Sequence, residues 1–129
     1  MGGAGEALLP GLNWLVQRIG SGASILVVPQ AWPVSRFDEC LATMRTLLAA
    51  TGVEPSRVGV ARDLKTFSRR LAHHAAVFLC GGNTFRLLAA MQSSGFISAL
   101  DSYRRNGVVA GNSAGAIVLG RSIHHAHDA

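Results

Sequence analysis

The residues best suited to chemistry lie near the end of the chain, in Gly111-Asn112-Ser113-Ala114-Gly115, where a Gly-x-Ser-x-Gly interrupts an apolar run. A serine hydroxyl held between glycines suits attack on a carbonyl, because a nucleophile must project from a sharp turn that tolerates only small neighbours. Val108-Val109-Ala110 before it reads as a strand, and Ala116-Ile117-Val118-Leu119 after it as a small-residue helix, which is the setting such a turn requires. The unpaired N–H groups of that helix's first turn point at the same spot, so the amide of Ala114 is a candidate donor to a developing oxyanion. A serine nucleophile also needs a base. His124-His125-Ala126-His127-Asp128 supplies imidazoles, with His127 beside a carboxylate the most plausible of them. Closely spaced histidines also suit a shared metal ion, and a frayed terminus is the plain alternative. No metal and no cofactor is expected.

The elements that must hold these groups follow from the apolar pattern. Leu8, Leu9, Leu12, Leu15, Val16 and Ile19 recur at helical spacing within residues 6–19, with Pro10 placing the firm start after itself and Gly20-Ser21-Gly22 ending the helix. Ser24 to Pro29 is a continuous apolar run, the mark of a strand covered on both faces. Ser35-Arg36-Phe37-Asp38 resembles a capping box, and Phe37, Leu41, Met44, Leu47 and Leu48 form one helical stripe behind it, closed by Thr51-Gly52. Residues 57–61 form a short strand, residues 64–74 a helix with Leu64, Phe67 and Leu71 inward, and residues 75–80 a third strand ending in Gly81-Gly82-Asn83-Thr84. Two helices, 84–91 and 96–105, separated at Ser94-Gly95, precede the strand that leads to Ser113. His73-His74 closes a helix, where a cation suits the dipole.

This alternation of helices and strands demands a mainly parallel sheet with helices on both faces, an α/β fold of the flavodoxin-like kind, in one domain over residues 1–129. Functional groups of such sheets gather at the carboxyl ends of the strands, where Gly82 and Ser113 both fall. With 49% hydrophobic and 15% charged residues, the chain is neither a disordered tail nor a linker. The net charge of +5 comes from scattered basic residues, all arginine except Lys65, without interleaved aromatics, so nucleic acid is not an expected partner. No apolar run reaches the roughly 18 residues of a membrane span. Cys40 and Cys80 lie far apart in sequence without metal-type spacing and read as reduced thiols, which together with the absence of a leader suggests the cytoplasm.

Val77-Phe78-Leu79-Cys80-Gly81-Gly82-Asn83-Thr84-Phe85-Arg86-Leu87-Leu88 and Gly111-Asn112-Ser113-Ala114-Gly115-Ala116, taken as a pair, resemble the signatures of the dipeptidase E and cyanophycinase family of serine peptidases. The resemblance runs from about Ile25 to the end and implies a fold related to class I glutamine amidotransferases, with serine in place of their cysteine. It implies Ser113 as nucleophile, the amides of Gly82 and Ala114 as the oxyanion hole, and Asn83 as a shaper of that loop, its alternative being a plain Asx-turn. Asp128 aligns with the triad acid of the dipeptidase branch. The triad histidine of the family comes later than Ala129, and the strand that normally precedes the first helix has no counterpart before residue 6, so the sheet is expected to be incomplete at both ends. The implied substrates are dipeptides with N-terminal aspartate or, in the other branch, a β-aspartyl-arginine polymer. A bidentate arginine must hold the substrate carboxylate, and Arg86 and Arg121 are both near the motifs. Two other readings stay open. One is a catalytically incomplete homologue acting by ligand binding or by pairing an exposed edge strand with a second copy into a homodimer. The other is an esterase, against which the Gly-Gly-Asn-Thr-Phe loop argues.

Overall fold

Among the described residues, apolar runs with β-branched residues give four short strands, and each lies beside stretches with helical periodicity. In the structure, a computed structural model that describes residues 8–20, 22–67 and 71–111, the order is α1 (Leu9–Ile19), β1 (Ile25–Val28), α2 (Phe37–Ala49), β2 (Val58–Val60), α3 (Leu64–Phe67), β3 (Ala76–Leu79), α4 (Thr84–Ser94), α5 (Phe96–Tyr103) and β4 (Val108–Gly111). The strands form one parallel sheet in the order β2-β1-β3-β4. Ser113, Ala114 and Asp128, and the helix expected after Gly111, lie outside the described residues.

Side chains alternate across a strand, so each strand feeds two cores. Ile25, Val27, Ala76 and Phe78 face Leu12, Leu15 and Val16 of α1 and Cys40, Leu41, Met44 and Leu48 of α2. Leu26, Val28, Val77 and Leu79 face Leu64, Leu71, Leu87, Met91, Phe96 and Leu100 on the other side. Every residue of β1 and β3 is buried, the signature of strands covered by helices on both faces. Each fully buried leucine among them contributes about 1.5–3 kcal/mol of apolar transfer energy. The flanking strands are less covered: β4 is half-buried throughout. Among the described residues no helix is long and apolar enough to cross a membrane.

Three local expectations change. The helix expected over residues 64–74 is described as one turn at Leu64–Phe67 and a 3-10 turn at Leu71–His73, both anchored by buried leucines. Asp63 explains the start of the first: its Oδ1 accepts from the Lys65 amide and its Oδ2 from the Thr66 hydroxyl. No capping box forms at Ser35. That residue lies within a 3-10 turn, Val34–Arg36, and α2 begins after Arg36 without a side-chain cap. Pro10 does not delay α1 but occupies its first turn, where a missing N–H costs nothing.

Candidate active site

The crevice of an open parallel sheet lies where neighbouring strands send their following helices to opposite faces. Here that point falls between β1 and β3: the chain leaves β1 toward α2 on one face and leaves β3 toward α4 on the other. Two loops meet over it. The segment after β1 turns back on itself, with the Trp32 amide donating to the Pro29 carbonyl at 2.8 Å. The segment after β3 is laced to it, since the Asn83 amide donates to the Ala31 carbonyl at 2.9 Å and the Trp32 indole N–H donates to the Gly81 carbonyl at 2.6 Å.

Gly82 is the tightest point of this junction. Its φ of +148° is a conformation that side-chain-bearing residues rarely adopt, and a Cβ would meet the Ala31 carbonyl oxygen at 2.8 Å and Trp32 Cδ1 at 2.9 Å. The glycine therefore has an internal cause, the close approach of the β1 loop. Its amide remains outside that network: the residue is exposed, and its N–H has no partner among the described residues. A backbone donor held rigidly and left unpaired at a sheet's carboxyl edge is what an oxyanion requires.

Asn83 caps α4. Its Oδ1 accepts from the Arg86 amide at 3.0 Å, which sets the helix start and with it the direction in which the Gly81-Gly82 segment leaves β3. Arg86 follows on the first turn. It is exposed, and its guanidinium has no ion-pair or hydrogen-bond partner among the described residues. On the other loop Arg36 stacks over the Trp32 ring, 4.5 Å from its centroid, and forks onto Glu39 with contacts of 2.7 and 3.2 Å. That hydrogen bond holds the Glu39 carboxyl below its ordinary value. Phe85 and Val34, the most exposed large apolar side chains among the described residues at 79% and 76%, belong to the two segments leaving this edge.

The last described strand completes the frame. β3 and β4 run in parallel register with Leu79 level with Gly111, so the chain that continues to Ser113 leaves the sheet at the edge that carries Gly82. Of the residues singled out from sequence, Gly82 and Asn83 are thus placed at the switch point. Ser113, Ala114, Asp128 and Arg121 lie outside the described residues. Trp32 and Gln30 were not marked by any motif. Gln30 is buried, donates from Nε2 to the Ala61 carbonyl at 2.5 Å, and leaves Oε1 without a partner among the described residues. A polar residue and an aromatic directly after a fully apolar strand are the signal that points to them. His74, expected as a cation at a helix end, is instead kept below its ordinary pKa by burial and by His73.

The sequence pattern that defines peptidase family S51 matches residues 2–129. The chain belongs to peptidase family S51. A protein from Listeria monocytogenes EGD-e assigned as a peptidase E superposes with a TM-score of 0.63 at 22% identity, over 83% of this chain and 55% of that one. A peptidase from an acI-B1 Actinobacterium gives 0.68 at 22% identity, over 88% of this chain and 51% of that one. The chain thus spans about half the length of these structures, which share its α/β fold. No curated protein matches it significantly.

Proposed function

We propose that this member of family S51 carries the nucleophile and oxyanion-binding part of a serine peptidase that releases N-terminal aspartate from short peptides in the cytoplasm. Ser113 attacks the scissile carbonyl as a histidine base takes its proton, with Asp128 orienting that base. The amides of Gly82 and Ala114 donate to the oxyanion, the amine leaves protonated, and water then releases the acyl group from the serine. Arg86, without a partner among the described residues, pairs with the substrate carboxylate, and Phe85 beside it gives apolar surface to the rest of the peptide.

The observation that most supports this reading is the Gly82 amide: exposed, hemmed in by Ala31 and Trp32, and without a partner among the described residues, at the edge from which β4 continues toward Ser113. The test is hydrolysis of a chromogenic dipeptide with N-terminal aspartate by the native chain and by Ser113→Ala. Loss of at least ~10³-fold in turnover on removing the hydroxyl is expected, with a fluorophosphonate labelling Ser113 only in the native chain. Equal turnover in both, together with no labelling, overturns the reading. Hydrolysis of β-aspartyl-arginine but not of aspartyl dipeptides would move the substrate to the cyanophycinase branch.

A further inference from the structure

We propose that Cys40 and Cys80 are a redox-active pair that closes into a reversible intrachain disulfide, and that closing it shifts the Gly81-Gly82 loop. The two residues stand 40 positions apart in sequence, yet their Sγ atoms are 3.2 Å apart, with Cys40 in the first turns of α2 and Cys80 immediately after β3. Both are buried, at 3% and 4% exposure, among the apolar side chains that join α2 to the sheet. A disulfide needs its sulfurs about 2.05 Å apart. The pair already meets in van der Waals contact, so bond formation requires a small approach and no rearrangement of elements.

The chemistry balances with hydrogen peroxide, an oxidant small and neutral enough to reach a buried thiol. The Cys40 thiolate attacks one peroxide oxygen and breaks the O–O bond, leaving a sulfenic acid on Cys40 and hydroxide, which takes up the proton released when Cys40 ionised. The Cys80 sulfur then attacks the sulfenic sulfur and expels water as its own proton leaves. Two thiols lose two electrons in total, and one peroxide becomes two waters. The hydrogen bond between the thiols favours this order, since it lowers Cys40 below its ordinary value while Cys80 is pushed well up.

The location makes the pair more than a chemical curiosity. The Cys80 amide is tied to the Val28 carbonyl at 3.0 Å, and the next residue, Gly81, accepts the Trp32 indole N–H. Displacement of Cys80 toward α2 therefore pulls on the one segment that carries the Gly82 amide and the Asn83–Ala31 hydrogen bond. An effect on turnover would rest on the peptidase reading. The thiol chemistry and the loop shift do not.

The folded chain is treated with excess hydrogen peroxide, then unfolded and labelled with N-ethylmaleimide. Labelled thiols are expected to fall from two per chain to none, in a monomer lighter by two hydrogen atoms, with one digested peptide pair joined through Cys40 and Cys80, and dithiothreitol restores both thiols. In the same samples the Asn83 amide, followed by nuclear magnetic resonance, exchanges at least about fivefold faster in the oxidised chain as its bond to Ala31 is strained. Cys80→Ser stops at a Cys40 sulfenic acid that dimedone traps; where that variant does not fold, Cys80→Ala serves. Two intact thiols, sulfinic acids in place of the cross-link, or disulfides between chains overturn the pairing. A clean intrachain disulfide with unchanged Asn83 exchange overturns the loop shift.

Discussion

The two edges of the sheet are built from the same materials and left in opposite states. At the amino edge the loops are tied to one another. The Tyr103 hydroxyl donates to the His74 carbonyl at 2.6 Å, the Ser24 hydroxyl to the His73 carbonyl at 3.1 Å, and the Gly107 amide to the Tyr103 carbonyl at 2.8 Å. A cavity of about 370 Å³ opens there, lined by His74, Ala75, Tyr103, Asn106 and Gly107 among others, and the amides of His74, Ala75, Asn106 and Gly107 are engaged. At the carboxyl edge the loops are also tied together, through Trp32, Ala31, Gly81 and Asn83, yet the exposed Gly82 has no partner for its amide among the described residues. Each edge has a glycine that its surroundings demand. Gly107 makes room for the Tyr103 ring, whereas Gly82 lets one loop pass over another while a donor faces outward. Close loop packing is common to both edges, and a donor without a partner among the described residues distinguishes the carboxyl one.

Substitution of the two glycines separates these roles. Gly82→Ala sets a methyl against the Ala31 carbonyl and the Trp32 ring in a strained conformation, and should lower kcat by ~10²–10³-fold, the value of one oxyanion donor, measured as initial rates on the aspartyl dipeptide. Gly107→Ala drives a methyl into the Tyr103 ring. It should cost about 1–3 kcal/mol in denaturant titration, with turnover per folded molecule unchanged. Equal loss of turnover in the two variants would abolish the distinction between the edges. Trp32→Phe removes the bond to the Gly81 carbonyl and shrinks the ring under Arg36; the lost hydrogen bond should cost about 0.5–1.5 kcal/mol, with a decrease in kcat smaller than that of Gly82→Ala.

The smallest effect is in pH, and it belongs to the amino edge. His74 titrates below its ordinary value of 6.5 when folded, because burial disfavours the cation. The unfolded chain then binds the proton more readily, so stability falls as pH drops below about 6.5 toward the depressed folded value. Tyr103 shows the opposite case: burial raises it from 10 to about 12, so the folded chain holds its proton longer and stability fades as pH rises through that interval. Thermal melts across pH should show both slopes, with His74→Gln flattening the acid limb and Tyr103→Phe the alkaline one.

Much of the frame was legible because buried parallel strands declare themselves. The runs at residues 24–29 and 75–80 bracket β1 and β3 to within a residue at each end, since helices on both faces demand apolar side chains at every position. Gly20, Gly52 and Gly95 end their elements with positive φ, as glycine after a periodic stretch suggests. Ser35 misled, because a serine before a helical stripe reads as a cap whether or not a 3-10 turn intervenes. The Gly82-Asn83 loop was legible from its motif, but its cause was not. Ala31 and Trp32 reach it across 51 positions of sequence, counting from Ala31 to Gly82, and no local pattern reports such a contact. The meeting of Cys40 with Cys80 was hidden for the same reason.

The pleat of β3 carries a further implication. Ala76, Phe78 and Cys80 share one face, and Val77 and Leu79 the other. A single residue inserted or deleted within this strand would reverse that parity from the lesion onward. The thiol of Cys80 would swing away from α2, aliphatic side chains would trade cores, and the glycine hinge would meet the tryptophan turn from the wrong side. The spacing between residues 76 and 82 thus works as one indivisible unit, in which counting matters as much as composition.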